Sequence, residues 1–277
     1  MAGEGAAARP MKTLPPPLLR LTAILCLAAT GCAGPPMQVV ELDDFRGQAA
    51  YEVRTPSATW VYHRQGAGLA ALLDPDGVDW VGYSEADGPA GSYRGLPNLI
   101  HPENEFHPGG GGSSSTVVEQ TGERVAVESQ TADGAWAGRW EFGPSHARFR
   151  LTKAPRPYWF VYEGAPNGGV DFQHGYYMLS NGWRRPIGAP WSQDLPDPEW
   201  IVFGDDRAER VLLLMQVRGD LRPDHVNQMQ QQMVVFGFGR ESPCCSKYLD
   251  GAPAEFVVAL VESSDYGAIR AAAEALR

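Results

Sequence analysis

Four consecutive stretches between residues 115 and 153 alternate wet and dry side chains with a period of two, and this limits the fold more than any other feature. In AWAGRWEF (135–142), Trp136, Gly138, Trp140 and Phe142 share one face. In HARFRLTK (146–153), Arg148, Arg150 and Thr152 alternate with Ala147, Phe149 and Leu151. A strand places successive side chains on opposite faces, so each stretch has one apolar face and one solvated face. The breaks fall at Thr121-Gly122, Asp133-Gly134 and Gly143-Pro144, residues suited to tight turns. The pattern is an antiparallel meander.

Similar text fills the rest of the chain. Strand-like runs occupy 51–54, 58–63 and 68–74, and the Asp-Pro-Asp-Gly turn at 74–77 returns the chain into 78–83. Further runs are the aromatic PYWFVYE (157–163), then 200–203, 209–218, 233–239 and 256–262. Residues 224–232 read as a loop or a helical turn. Only 266–277 reads as helix, with Ser264 or Asp265 as N-cap. No repeat or linker divides this text. The expected fold is all-β: a large antiparallel two-sheet β-sandwich of fourteen or more strands with a short C-terminal helix, in a single domain over 49–277.

The first 31 residues read as a leader. Lys12 and Arg20 precede a short apolar run, 21–29, that is too short to span a bilayer. It ends in Ala-Thr-Gly-Cys, which resembles the lipobox of bacterial lipoproteins. That resemblance implies cleavage before Cys32, lipidation of its thiol, and a tether over 32–48. The expected location is the bacterial envelope, anchored to a lipid bilayer and facing the periplasm or the exterior. Ala33 after the Cys leans towards the outer membrane by the same resemblance.

The chain has a net charge of −10. The leader's Glu4, Arg9, Lys12 and Arg20 carry a net of +2, so removing it leaves −12. An acidic chain without a basic cluster argues against nucleic acid as a partner. A monomer that handles a carbohydrate ligand fits the composition. Beyond the leader, the remaining cysteines are the adjacent Cys244 and Cys245, read either as a vicinal disulfide or as two free thiols.

Two loop-rich stretches concentrate the chemistry. YRGLPNLIHPENEFHPGGGG (93–112) holds Arg94, Asn98, His101, Glu103, Glu105 and His107 between Pro97, Pro102 and Pro108. Prolines this dense read as loop and argue against a central strand. His101, Glu103, Glu105 and His107 recur every second residue, so an extended segment would point them to one side. They could perform acid–base work or, as the minor alternative to no cofactor at all, hold a divalent metal. The bland readings are that the carboxylates are solvated, that the histidines brace the loop, and that Arg94 pairs with Glu103 or Glu105. The second stretch, 164–200, offers His174, Tyr176, Trp183 and Arg184. Trp183 and Tyr176 are expected to be exposed, whereas Trp140, Trp159 and Phe160 are assigned to the core.

Tyr62 to Tyr83, with Gly68, Asp74 and Gly77 in its hairpin, resembles the opening of galactose-mutarotase-like supersandwich domains. YRGLPNLIHP (93–102) is similar in placement to the Gly-x-Pro loop that enters the sugar pocket of such proteins. The resemblance implies a supersandwich and a carbohydrate context. Aldose epimerases of that class pair a catalytic His with a distant catalytic Glu, and no residue in the sequence identifies itself as that Glu.

The resulting expectation is a carbohydrate-handling protein whose two loops form one cleft, with polysaccharide lyase or epimerase-like chemistry. Catalytic roles fall to Arg94, His101, His107, His174 and Tyr176, and substrate binding to Asn98, Glu103, Glu105, Trp183 and Arg184. The alternative is a noncatalytic lipoprotein that binds a glycan or a protein. No nucleophile elbow, P-loop or dinucleotide fingerprint is present.

Overall fold

In the computed structural model, residues 1, 36–103, 105–241 and 245–277 are described. The leader, Cys32 and Cys244 lie outside them. All elements below belong to the unit Gly34–Arg277.

The chain runs β1 (Gln38–Phe45), β2 (Gln48–Arg54), β3 (Thr59–His63), β4 (Gly68–Leu73), α1 (Gly88–Tyr93) and β5 (Gly95–Asn98). The meander follows as β6 (Ser113–Gln120), β7 (Val125–Thr131), β8 (Ala137–Phe142) and β9 (His146–Lys153). Then come β10 (Phe160–Gly164), β11 (Gly175–Leu179), β12 (Arg184–Pro186), β13 (Trp191–Gln193), β14 (Trp200–Asp205) and β15 (Val211–Gln216). The chain closes with β16 (Asp224–Met229), β17 (Met233–Phe238), β18 (Ala254–Val261) and α2 (Tyr266–Leu276).

These strands make two antiparallel nine-stranded sheets, β1-β2-β3-β4-β5-β10-β17-β16-β13 and β12-β11-β14-β15-β18-β9-β8-β7-β6. The expected two-sheet all-β architecture is present, and its eighteen strands among the described residues fall within the expected fourteen or more. The meander falls where its alternation placed it. Asp265 caps α2, accepting from the Ala268 N–H at 2.9 Å. The Asp-Pro-Asp-Gly turn closes with Gly77 N–H on the Asp74 carbonyl, but 78–83 forms no regular strand.

Three local readings change. Residues 38–45, read within a tether, form β1 at the edge of the first sheet, because Val39, Leu42 and Phe45 pack on β2 and its neighbours. Residues 224–229 form strand β16, which turns Val226 into the core and His225 and Asn227 to the outward face. β5 is central despite Pro97. It pairs with β10 only through Asn98↔Val161 and Gly95↔Glu163, with a register shift between them. The proline sits at that irregularity, where its missing N–H costs the ladder little.

The core between the sheets is aromatic. Phe160 stacks on Phe256 with ring centroids 4.1 Å apart, joining β10 of one sheet to β18 of the other. Trp140 lies 5.1 Å from Phe149, which lies 5.8 Å from Phe160. Trp140 and Phe160 are core residues as expected. A second cluster on the other face of the second sheet packs Trp200, Val202 and Leu213 under Ile269 and Ala273 of α2. The edge strands β1 and β6 each carry a register irregularity, in β6 between Val117 and Glu119.

Phe160→Ala should cost about 3–5 kcal/mol through lost burial and the cavity left between the sheets. Urea unfolding of wild type and variant would measure this.

Candidate functional site

Residues 159–163, which lead into and form most of β10, divide their side chains between two environments. Phe160 and Tyr162 enter the aromatic core, while Trp159, Val161 and Glu163 face the other way. Pairing carries that outer face across four strands. Glu163 stands opposite Gly95 and Val235, and Val235 opposite Asn227. One row along, Asn98, Val161, Gly237 and His225 align. Gly237 matters here, since a Cβ would come within 2.9 Å of the Arg240 Cβ and 2.7 Å of Val161 Cγ2.

A cavity of about 240 Å³ opens on this face. Val161, Val235 and Met229 form its apolar floor, and Tyr93, His101, Trp159, Glu163, Asn227 and Arg240 its walls. Glu163 accepts from Asn98 Nδ2 at 2.9 Å. Burial pushes its carboxyl up to about 7, with the Asn98 bond and the Arg240 charge pulling the other way. Arg240 donates to Asn227 Oδ1 at 2.8 Å and lies 5.8 Å from the Trp159 ring. Lys247 lies 4.5 Å from the same ring and donates to the His101 carbonyl at 2.5 Å. His101 meets Tyr93 edge-on at 5.6 Å. Two buried atoms, Asn98 Oδ1 and Trp159 Nε1, have no hydrogen-bond partner among the described residues. Most buried polar atoms are paired, and these two are groups that a polar ligand here would satisfy, although the indole N–H groups of Trp140, Trp191 and Trp200 are unpartnered too among the described residues.

The expected residues are distributed unevenly. His101 lines the cavity, and Asn98, 2% exposed, orients Glu163. His107 does not reach it. Its Nδ1 accepts from Gly109 N–H at 3.1 Å, so Nε2 carries the proton and donates to the Tyr93 carbonyl at 2.8 Å. Burial lowers its pKa to about 4, so it stays neutral and braces the loop. Arg94 donates to the Gly82 and Gln232 carbonyls and lies 3.8 Å from Asp87, pairing with neither Glu103 nor Glu105. Glu103 pairs with Arg156 at 2.8 Å. Burial, with Asp133 nearby, raises Glu105. Prolines and the turn at 101–103 break the alternation that would have gathered the four as metal ligands.

The second stretch lies elsewhere. Tyr176, expected to be exposed, is 3% exposed and packs in the α2-side cluster beneath the Arg184 guanidinium, which is 3.5 Å from its ring. Arg184 pairs with Asp206. His174 donates its backbone N–H to Asp171. Trp183 is 51% exposed, with Arg185 at 4.8 Å. None of these four lines the cavity that holds His101, so the residues proposed for one lyase cleft are split between the outer faces of the two sheets. Cys245 is disulfide-bonded, so the free-thiol alternative does not hold for it.

The text hid Glu163, Asn227, Arg240 and Lys247. Trp159 was assigned to the core, and it is buried, but against the outer cluster rather than between the sheets. The one available signal was phase. In PYWFVYE, Trp159, Val161 and Glu163 share a face opposite Phe160 and Tyr162, and a carboxylate on a buried strand needs a partner.

No family model matches the chain, and no curated protein matches it in sequence. Solved structures do match. HI1317 aligns with a TM-score of 0.55 at 11% identity, over 82% of this chain and 96% of its own. A candidate mutarotase, YeaD from Salmonella typhimurium, aligns with a TM-score of 0.54 at 10% identity, over 82% and 94%. The chain has a galactose mutarotase-like fold. In this mutarotase-like sandwich the outer-face cavity is built by the centre of the first sheet, from β5, β10, β17 and β16 together with the segments flanking them.

His107→Ala should cost about 1–3 kcal/mol at pH 7, by leaving the Tyr93 carbonyl and Gly109 N–H unpaired. The folded pKa lies below the ordinary 6.5, so the histidine's contribution is present above 6.5 and is lost as pH falls towards 4. The difference between wild type and variant should therefore shrink over that interval, as read by urea midpoints across pH.

Proposed function

We propose that this protein binds a carbohydrate in the outer-face cavity of its first sheet and interconverts the anomers of an aldose there. The reading rests on one observation above others: a buried carboxylate, Glu163, that titrates near neutrality inside a cavity also lined by His101. A group with its pKa near working pH both accepts and returns a proton efficiently. In the proposed reaction, Glu163 takes the proton from the anomeric hydroxyl as His101 gives one to the ring oxygen, and the opened sugar recloses on the other face. Arg240 and Asn227 hold hydroxyls at the rim, and the unsatisfied Asn98 Oδ1 and Trp159 Nε1 receive two more. The Glu that the family resemblance calls for thus has a candidate 62 residues beyond the histidine. The fold shared with a candidate mutarotase supports the same reading.

The test is anomer equilibration of a panel of neutral aldoses, followed by polarimetry with the purified chain. The rate should rise with pH through about 7, as the carboxylate form of Glu163 takes over. Glu163→Gln should lower kcat at least 100-fold and abolish that pH dependence. Saturable binding without acceleration would leave a noncatalytic glycan-binding protein. Unsaturated products absorbing in the ultraviolet would point to a lyase instead.

The anchor belongs to the same proposal. Acylated Cys32 would hold the sandwich at the envelope, probing sugars on one side of a membrane. Labelling cells with a palmitate analogue should tag the chain, and Cys32→Ala should remove the tag.

A further inference from the structure

A second site stands apart from the sugar cavity. Asp194 and Glu199 bound the connection between β13 and β14, and Asp220 follows β15, so two connections bring three carboxylates to one place. One oxygen from each lies within 4.8 Å of the others. None of the three has an ion pair among the described residues, although twenty such pairs occur elsewhere in the described chain. Glu199 is 2% exposed, and the backbone N–H of Asp220 donates to its Oε1 at 2.6 Å. Burial and the repulsion of Asp220, Asp194 and Asp197 push the Glu199 carboxyl up to about 7, as expected for a buried charge lacking its counterion.

An independent observation comes from Gln216. This side chain is 8% exposed, and its Nε2 donates to Asp220 Oδ2 at 2.8 Å and to the Arg218 carbonyl at 3.0 Å. That fixes the carboxamide against the cluster and leaves Oε1 buried with no partner among the described residues. Gln216 also stands opposite Glu199 across β14 and β15, its backbone N–H donating to the Glu199 carbonyl at 3.0 Å, so the two side chains share one face. A cation satisfies all four groups at once.

We infer that Asp194, Glu199, Asp220 and the Gln216 carbonyl form a binding site for calcium. All the ligands are hard oxygens, the preference of calcium. Calcium–oxygen bonds of about 2.3–2.6 Å let opposite ligands stand about 5 Å apart, which suits the observed spread. A depression of about 500 Å³ lined by Asp194, Asp197, Gly219 and Asp220 leaves room for waters to complete the shell. Gly219 keeps this approach open, since a Cβ there would stand 3.1 Å from Asp197 Oδ1 and 3.2 Å from Glu199 Oε1. β13 closes the first sheet and β14 and β15 lie in the second, so the ion would tie the two sheets together at one end.

The test is calorimetric titration of calcium chloride into the full chain after EDTA treatment, at pH 7.5, with thermal unfolding in parallel. One saturable site with Kd below about 1 mM is expected, within the range of extracellular calcium modules, together with a higher Tm. Asp194→Asn, at an exposed position that leaves folding intact, should weaken binding at least tenfold. No saturable heat, equal affinity in the variant, or a site that takes magnesium and refuses calcium would each overturn the assignment.

Discussion

Everything in the molecule turns on the contact between Phe160 and Phe256. These two rings join a central strand of one sheet to the middle strand of the other. With Phe160 fixed inward, the period of two fixes its neighbours outward. Trp159, Val161 and Glu163 therefore face away from the hydrophobic interior on a strand buried within its sheet. The core does more than supply stability: it sets the phase that gives the outer face a carboxylate.

That carboxylate would be costly alone. Burying a charge is tolerable only with partners, and here Asn98 donates to it while Arg240 supplies an opposing charge across the same cavity. The compensation is incomplete, so Glu163 keeps a proton until near neutrality. Incomplete compensation is how a fold keeps a proton-transfer group ready rather than quenched.

The sequence made the sandwich legible through the meander, because alternation depends on neighbours in the chain. The site was legible only in part. His101 and Asn98 stood out because a loop-like stretch rich in ionisable groups advertises itself. Glu163, Asn227 and Arg240 did not, because what joins them is cross-strand register, which no local window contains. Tyr176 misled for the converse reason. Its glycine-rich surroundings suggested exposure, yet β11 lies between β12 and β14 and carries the ring under Arg184. Pro97 shows the limit of a rule applied without context, since a central strand accepts proline where its ladder is already interrupted.

The irregularity in β6 bears on how copies of this chain behave beside one another. An edge strand offers a free row of amides and carbonyls to any neighbouring strand. In β6 the row is broken between Val117 and Glu119, and Glu119 is held by Arg124 and Arg139 on the same surface. A second molecule sliding alongside would find neither a continuous ladder nor a neutral surface to lie against. Crowding many copies together therefore does not template sheet growth from this edge, and the sandwich stays closed upon itself.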